Sequence, residues 1–259
     1  MNAIISLKEW LPWYNKIRNT FRYNRSKDQY ATAVLSHLLS CRSFDIKELR
    51  VLFSCQPVLV FGAGPSLEEN LRQSAKENLF ERCVVVSADG ATTALLKLAK
   101  VVPNVVVTDL DGDINDLLRA SKFGSVMVVH GHGDNIDRLQ RYVPKFEKVI
   151  GTTQVNPKPN VYNLGGFTDG DRALFLAVVM GARLIALAGM DLGEVVGKYS
   201  KKRIKSIEVK LLKLKICKEL LEWLASKVNI PLYNITEHGE NISGFINIAS
   251  SELAKIVEN

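Results

Sequence analysis

Apolar residues recur at three- and four-residue intervals through positions 1–55. Trp10, Trp13, Tyr14, Ile17 and Phe21 form one stripe, and Ala31, Val34, Leu35, Leu38 and Leu39 form another. Such spacing places each set on one face of an amphipathic helix. The aromatic stripe reads as core rather than as a ligand cage, so 1–55 is expected to be a helical layer packed on the remainder of the chain. From Pro57 the rhythm changes. Val58–Phe61, Val84–Ala88, Val105–Thr108, Val126–His130 and Leu184–Ala188 are short β-branched runs, with amphipathic segments between several of them. Over 203–228 the helical period returns, with Ile207, Leu211, Leu214, Leu221 and Leu224 expected on one face. A short strand at Leu232–Ile235, a turn at Gly239 and a helix after Ser250 are expected to complete the chain. There is no internal repeat and no low-complexity tract.

Strands alternating with helices predict an α/β fold, with a Rossmann-like parallel-sheet core and helices on both faces. The expected organisation is a helical segment over 1–55, an α/β catalytic core over 56–200, and a long basic helix, strand and helix over 201–259 packed on it. Ligands of such sheets bind beyond the carboxyl ends of the strands. Here the five runs are followed by Gly62, Asp89, Asp109, His130–Asp134 and Gly189–Asp191. One composite site at that edge is the expectation.

The centre of this site is VVVTDLDGD, Val105–Asp113. Asp109, Asp111 and Asp113 fall within five positions, and Gly112 permits a tight bend. If the backbone stays extended, Asp109 and Asp111 point to one side. Crowded carboxylates repel and raise one another's pKa unless a cation neutralises them, and Mg²⁺ suits an all-oxygen set. FGAGPSL, Phe61–Leu67, places Gly62, Gly64, Pro65 and Ser66 after a strand and before a helix, as a phosphate-binding turn would. Leu67 occupies the last glycine position of GxGxxG, so the dinucleotide fingerprint is incomplete. SADGATT adds Asp89 and Gly90 as metal or nucleotide candidates, and Asp89 also suits a ribose. In HGHGDN, Asp134 and Asn135 are read as polar ligands of Mg²⁺–phosphate, with His130 and His132 able to touch phosphate or move a proton. In GGFTDGDR, Thr168 or Asp169 suffices to cap a helix. The presence of Asp169, Asp171 and Arg172 together favours carboxylates for metal and a guanidinium for phosphate.

Composition narrows the picture. Apolar content of 47% and charged content of 24% are those of an ordinary globular protein, and no run reaches the roughly 18 apolar residues of a membrane span. The N-terminus lacks a secretory pattern, and Cys41, Cys55, Cys83 and Cys217 contain no CxxC pair. A reducing cytoplasm is therefore expected. The formal charge of +7 is uneven. Lys198–Lys218 holds nine Lys or Arg against the single acid Glu208. A basic rim around an acidic centre attracts a polyanion such as a nucleoside triphosphate. No nucleic-acid motif accompanies the basic segment, so no nucleic-acid partner is expected; a solvated helix face explains it equally well.

Taken in order, FGAGPSL, ADGA, TDLDGD, HGHGDN, GTTQ, GGFTDGDR and GMDLG resemble the archaeal MptE-type 6-hydroxymethyl-7,8-dihydropterin pyrophosphokinases, along the whole chain. More distantly, DGA, the DxD segment and FTD before a helix are similar to thiamine pyrophosphokinases. The resemblance implies ATP as co-substrate, Mg²⁺ as cofactor, and transfer of the β,γ-diphosphoryl group to a pterin hydroxymethyl oxygen with release of AMP, in making a methanopterin- or folate-type coenzyme. It carries Asp89, Asp109, Asp111, Asp134, Asp169 and Asp171 over as metal or nucleotide ligands. It does not mark a pterin pocket, and a homo-oligomer is left open. Asp109, Asp111, Asp134 and Arg172 are the expected catalytic set, with Asp109, Asp111, Asp169 and Asp171 on the metal. Gly62, Gly64, Pro65, Ser66, Asp89, Gly90, His132, Asn135, Thr168 and Asp169 are expected around the nucleotide. Two other readings fit parts of the pattern: a nucleotide-sugar glycosyltransferase, and a non-catalytic NAD- or nucleotide-binding module.

Overall fold

The computed structural model describes residues 5–200 and 206–258. Helices α1 (Leu7–Phe21), α2 (Arg25–Leu38) and α3 (Ile46–Phe53) precede β1 (Pro57–Phe61). Next come α4 (Leu67–Lys76), α5 (Leu79–Arg82), β2 (Val84–Ala88), α6 (Gly90–Ala94), β3 (Val105–Thr108), α7 (Ile114–Lys122) and β4 (Val126–His130). The chain continues through α8 (Ile136–Tyr142), β5 (Lys148–Thr152), β6 (Val161–Tyr162), α9 (Asp169–Met180) and β7 (Leu184–Ala188). It ends with α10 (Ile207–Ala225), β8 (Leu232–Asn234), β9 (Ile246–Asn247) and α11 (Ser250–Glu258).

The nine strands form one sheet in the order β6-β5-β4-β3-β2-β1-β7-β8-β9. Every neighbouring pair is parallel. The chain fills one half of the sheet outward from β1 and returns through β7 on the other side of β1. This reversal is a topological switch point, where such sheets open a crevice at their carboxyl edge. Strand side chains alternate between faces. Val58, Val60, Val86, Val105 and Val107 share one core with Trp10 and Tyr14 of α1, Phe175 of α9 and Leu220 of α10. On the opposite face Leu59, Phe61 and Val85 pack with α4 and α11. Val106, Met127 and Val129 pack there with Leu35 of α2 and Leu117 of α7. The α/β architecture is as the sequence predicts, and the N-terminal helices cover both faces of the sheet.

Three expectations change. β5 has no counterpart among the predicted strands, because Lys148 is exposed and Gly151 interrupts the apolar run; pairing to β4 over all five residues supplies what local propensity does not. The β8 strand stops at Asn234. In α10 only the second half is core: Ile216, Cys217, Leu220, Leu221 and Leu224 are buried, Leu211 and Leu214 are half-buried, and Ile207 is exposed. Among the described residues, no helix is long and apolar enough to cross a membrane.

Candidate active site

β2 and β3 end side by side, with Ala88 opposite Val107. Asp89 follows the first and Asp109 the second. One carboxylate oxygen from each of Asp89, Asp109 and Asp111 lies within 4.8 Å of the others. The bend that brings Asp111 back is not the extended segment that side-chain alternation requires. Leu110 adopts the left-handed conformation, φ 70°, while its N–H is held by the Thr108 hydroxyl at 2.7 Å. The same hydroxyl donates to Asp89 at 2.6 Å. Gly112 has a different role from the one expected: a Cβ there would lie 2.7 Å from the Asp89 carboxylate. Asp113 does not join the three, because it caps α7 by accepting the Asn115 N–H at 3.1 Å.

The N-terminus of α9 supplies the fourth acid. Asp169 is only 13% exposed and pairs with the Arg172 guanidinium at 3.1 Å. Burial and then the charge of Asp109 hold its carboxyl well above the usual carboxylate range; Asp89 and Asp111 push the same way and Arg172 opposes. Asp171 is held differently from Asp169. One of its oxygens accepts the Phe167 N–H at 2.8 Å, and the other accepts the N–H and hydroxyl of Thr168 at 2.5 and 2.6 Å. Both oxygens of this carboxylate are thus engaged in closing the helix start, and Asp171 lies outside the group formed by Asp89, Asp109 and Asp111. Thr168, expected among the nucleotide contacts, is part of the same cap.

From the end of β4, His132 places Nε2 3.5 Å from Asp109 Oδ2. Its Nδ1 accepts the Asp134 N–H at 3.2 Å, so the neutral ring carries its proton on Nε2, facing the carboxylate. Asn135 is buried and bridges the two strand ends, donating to the carbonyls of Asp109 and His130, both at 2.8 Å. Asp134 is exposed and lines a shallow depression with Tyr30, Asp137 and Gln140, apart from the converging carboxylates. His130 is fully buried, with Nδ1 on Thr152 Oγ1 at 3.2 Å. Burial, together with Arg172 and His132, holds it well below the usual histidine range.

The FGAGPSL loop is tied down within the chain. Ser66 gives its N–H and its hydroxyl to Asp191, and the N–H groups of Gly62 and Gly64 go to the carbonyls of Ala188 and Gly189. A carboxylate of the chain itself thus sits at the start of α4. The connection after β7 also folds over this loop. Gly197 packs on Ala63, the Tyr199 carbonyl lies against Gly90, and the Tyr199 hydroxyl donates to Glu68 at 2.7 Å.

Comparison with known proteins decides what this edge belongs to. The family model described as 6-hydroxymethylpterin diphosphokinase MptE-like matches residues 33–197. Three archaeal proteins named 6-hydroxymethyl-7,8-dihydropterin pyrophosphokinase match most of the chain. The Pyrococcus furiosus protein is 48% identical over 222 residues, covering 84% of this chain and 93% of its own. That of Methanothermobacter thermautotrophicus is 43% identical over 228 residues, covering 85% and 95%. That of Methanocaldococcus jannaschii is 38% identical over 239 residues, covering 87% and 98%. The chain belongs to the MptE-like 6-hydroxymethylpterin diphosphokinase family.

Among solved structures, a Maf glycosyltransferase from Magnetospirillum magneticum has a TM-score of 0.56 at 15% identity, covering 86% of this chain and 38% of that one. At that identity the likeness speaks for the fold alone. Within the MptE-like chain, two further acids hold the site together: Asp28, which no sequence motif marks, and Asp191, whose strand-end position the sequence marks without its partner. Asp28, buried in the first turn of α2, accepts from the Tyr14 hydroxyl, the Gln154 amide and the Gly133 N–H at 2.9, 3.0 and 2.9 Å. It ties the N-terminal helices to the ends of β4 and β5. Asp191 performs the same service for β1 and β7. GTTQ and GMDLG signal both places as motifs without saying what the polar groups bind.

Proposed function

We propose that this chain is a 6-hydroxymethyl-7,8-dihydropterin diphosphokinase using ATP and Mg²⁺. The observation that supports it is the convergence of Asp89, Asp109 and Asp111 at two adjacent strand ends, in a chain 38–48% identical to proteins of that name. The donor set fits a hard divalent cation: three carboxylates and no sulfur or imidazole among them. Asp89, Asp109 and Asp111 would hold the ion, with Asp169 beside them. When bound, Mg²⁺ supplies charge neutralisation to the phosphate oxygens.

The pterin hydroxymethyl oxygen forms a bond to the β-phosphorus, the α–β bridging bond breaks, and AMP leaves with the bridging oxygen. Such transfers depend on positioning and charge far more than on covalent help. Arg172, held by Asp169 in a largely buried pair, places a fixed guanidinium where negative charge moves during transfer. His132 adds an Nε2–H donor beside Asp109. Asn135 and Asp28 keep the β4 loop in register with β3 and β5, and Gly62, Gly64, Pro65 and Ser66 form the wall locked by Asp191. Asp134 is not assigned a role in the transfer.

Incubation with ATP, Mg²⁺ and 6-hydroxymethyl-7,8-dihydropterin should yield AMP and pterin diphosphate in equal amounts by chromatography. Absence of AMP under saturating substrates overturns the proposal. Turnover of a CMP- or UDP-sugar instead would move the chain to glycosyl transfer.

A further inference from the structure

Beside the acidic cluster lies a set of aromatic rings that the phosphate chemistry does not use. Phe21 closes α1, Tyr23 follows it in the corner before α2, and Phe167 stands two residues before Asp169. The Phe21 and Tyr23 rings are 5.5 Å apart and nearly parallel, at 21°. Phe21 and Phe167 are 5.3 Å apart at 30°. The Lys213 ammonium lies over all three, 5.8, 6.0 and 5.6 Å from the centroids of Phe21, Tyr23 and Phe167. Phe167 is buried, whereas Phe21, Tyr23 and Lys213 are only half-buried. The Phe21 position continues the Trp10–Tyr14–Ile17 stripe and packs at the margin of that core, with part of its ring still exposed. That partial exposure distinguishes it from Trp10, Tyr14 and Ile17, which are fully buried.

The location is specific. Asp28 fastens the start of α2 to the loops after β4 and β5, so the α1–α2 corner crosses the carboxyl edge of the sheet. Cys217, one turn beyond Lys213, lies 3.4 Å from the Thr168 hydroxyl, which puts this face of α10 against the start of α9. The aromatic wall thus stands against the start of α9, the element that also carries Asp169. Ring faces that attract an ammonium are electron-rich, and they equally accept a flat, electron-poor nitrogen heterocycle.

We propose that Phe21, Tyr23 and Phe167 form the stacking wall for the pterin ring, which takes the place of the Lys213 ammonium on their faces. This inference rests on the diphosphokinase reading, and it names the pocket that reading lacks. Stacking of a heterocycle on one aromatic side chain is lost when the ring is replaced by an aliphatic group of similar size, at a cost of about tenfold in affinity.

The test uses Phe21→Leu, Tyr23→Leu and Tyr23→Phe, with steady-state KM for each substrate and fluorescence titration of the pterin without ATP. The two leucine variants should raise the pterin KM and Kd about tenfold and leave the ATP KM within about twofold. Tyr23→Phe should recover most of the binding. Unchanged pterin affinity in both leucine variants overturns the proposal, as does a rise confined to the ATP KM, which would make the wall an adenine site. AMP formation by the unaltered protein is the separate control on the parent reading; if it fails, the fluorescence titration still decides whether these rings bind a pterin.

Discussion

Ser66 donates both its hydroxyl and its backbone N–H to the carboxylate of Asp191, 125 residues further along the chain. This one contact joins the turn after β1 to the turn after β7 across the switch point. It also places a negative charge of the chain at the start of α4, where a helix favours one.

The first prediction concerns Gly64. A Cβ there would sit 2.0 Å from Asp191 Oδ2 and 2.6 Å from the Gly189 carbonyl. Gly64→Ala should therefore lower stability, rather than act selectively on ATP. Asp191→Ala alone should cost about 1–3 kcal/mol, because buried donors of Ser66 lose their acceptor. In the double variant the two losses should fall short of additive by about 0.5–3 kcal/mol, since the side chain that clashes is gone. Denaturant titration of the four proteins checks it; strict additivity would mean that Gly64 answers to something other than Asp191.

Asp109→Asn and Asp111→Asn should each reduce turnover by about a hundredfold or more, as removal of a preorganised charge at the reacting phosphates does. Without divalent cation, neither should destabilise the fold, because each removes repulsion from a crowded acidic set. Melting temperature with and without Mg²⁺, alongside the rate, separates the two effects. A variant that keeps the Mg²⁺-dependent rise in Tm is not missing a ligand of that ion.

Asp169 and Asp171, two positions apart, should part company. Asp171→Ala leaves the N–H groups of Phe167 and Thr168 without their acceptor, and is expected to cost about 1–3 kcal/mol of stability with activity falling only as the fold does. Asp169→Ala should depress the rate steeply at little cost in stability. Paired melts and rates decide: activity lost in proportion to stability in both would reduce this loop to a helix start.

The raised pKa of Asp169 sets the sign of a pH effect. Its folded-state value lies above the unfolded one, so the contribution to stability is greatest below the unfolded value and falls as pH rises through the folded value. The metal-free protein should lose melting temperature on that upward path, and Asp169→Asn should flatten the loss. Added Mg²⁺ works against it, so the gain in Tm from Mg²⁺ should grow with pH. A gain independent of pH between the two values would separate Asp169 from the cation.

Short-range order determined much of this protein. The valine runs specify strands buried on both faces, and the residues that interrupt them are necessarily at strand ends, so Asp89, Asp109 and His130 were bound to share an edge once the sheet was parallel. Which acid does what was decided by partners distant in the chain. Asp171 and Asp169 are two residues apart and chemically identical, yet the first turns back onto Phe167 and Thr168 while the second meets Arg172 and the Asp109 field. Asp28 carries no local mark of importance, and Asp191 is marked only as a strand-end acid; each acquires its role from a loop more than a hundred residues away. Strand β5 exists because β4 offers it five residues of ladder, and Phe21 sits at the margin of the core because α1 ends beside Phe167, just ahead of α9. Periodicity records which face a residue presents, but hydrogen-bond partners and neighbouring charges depend on how the elements are brought together, and that is settled only by the closed fold.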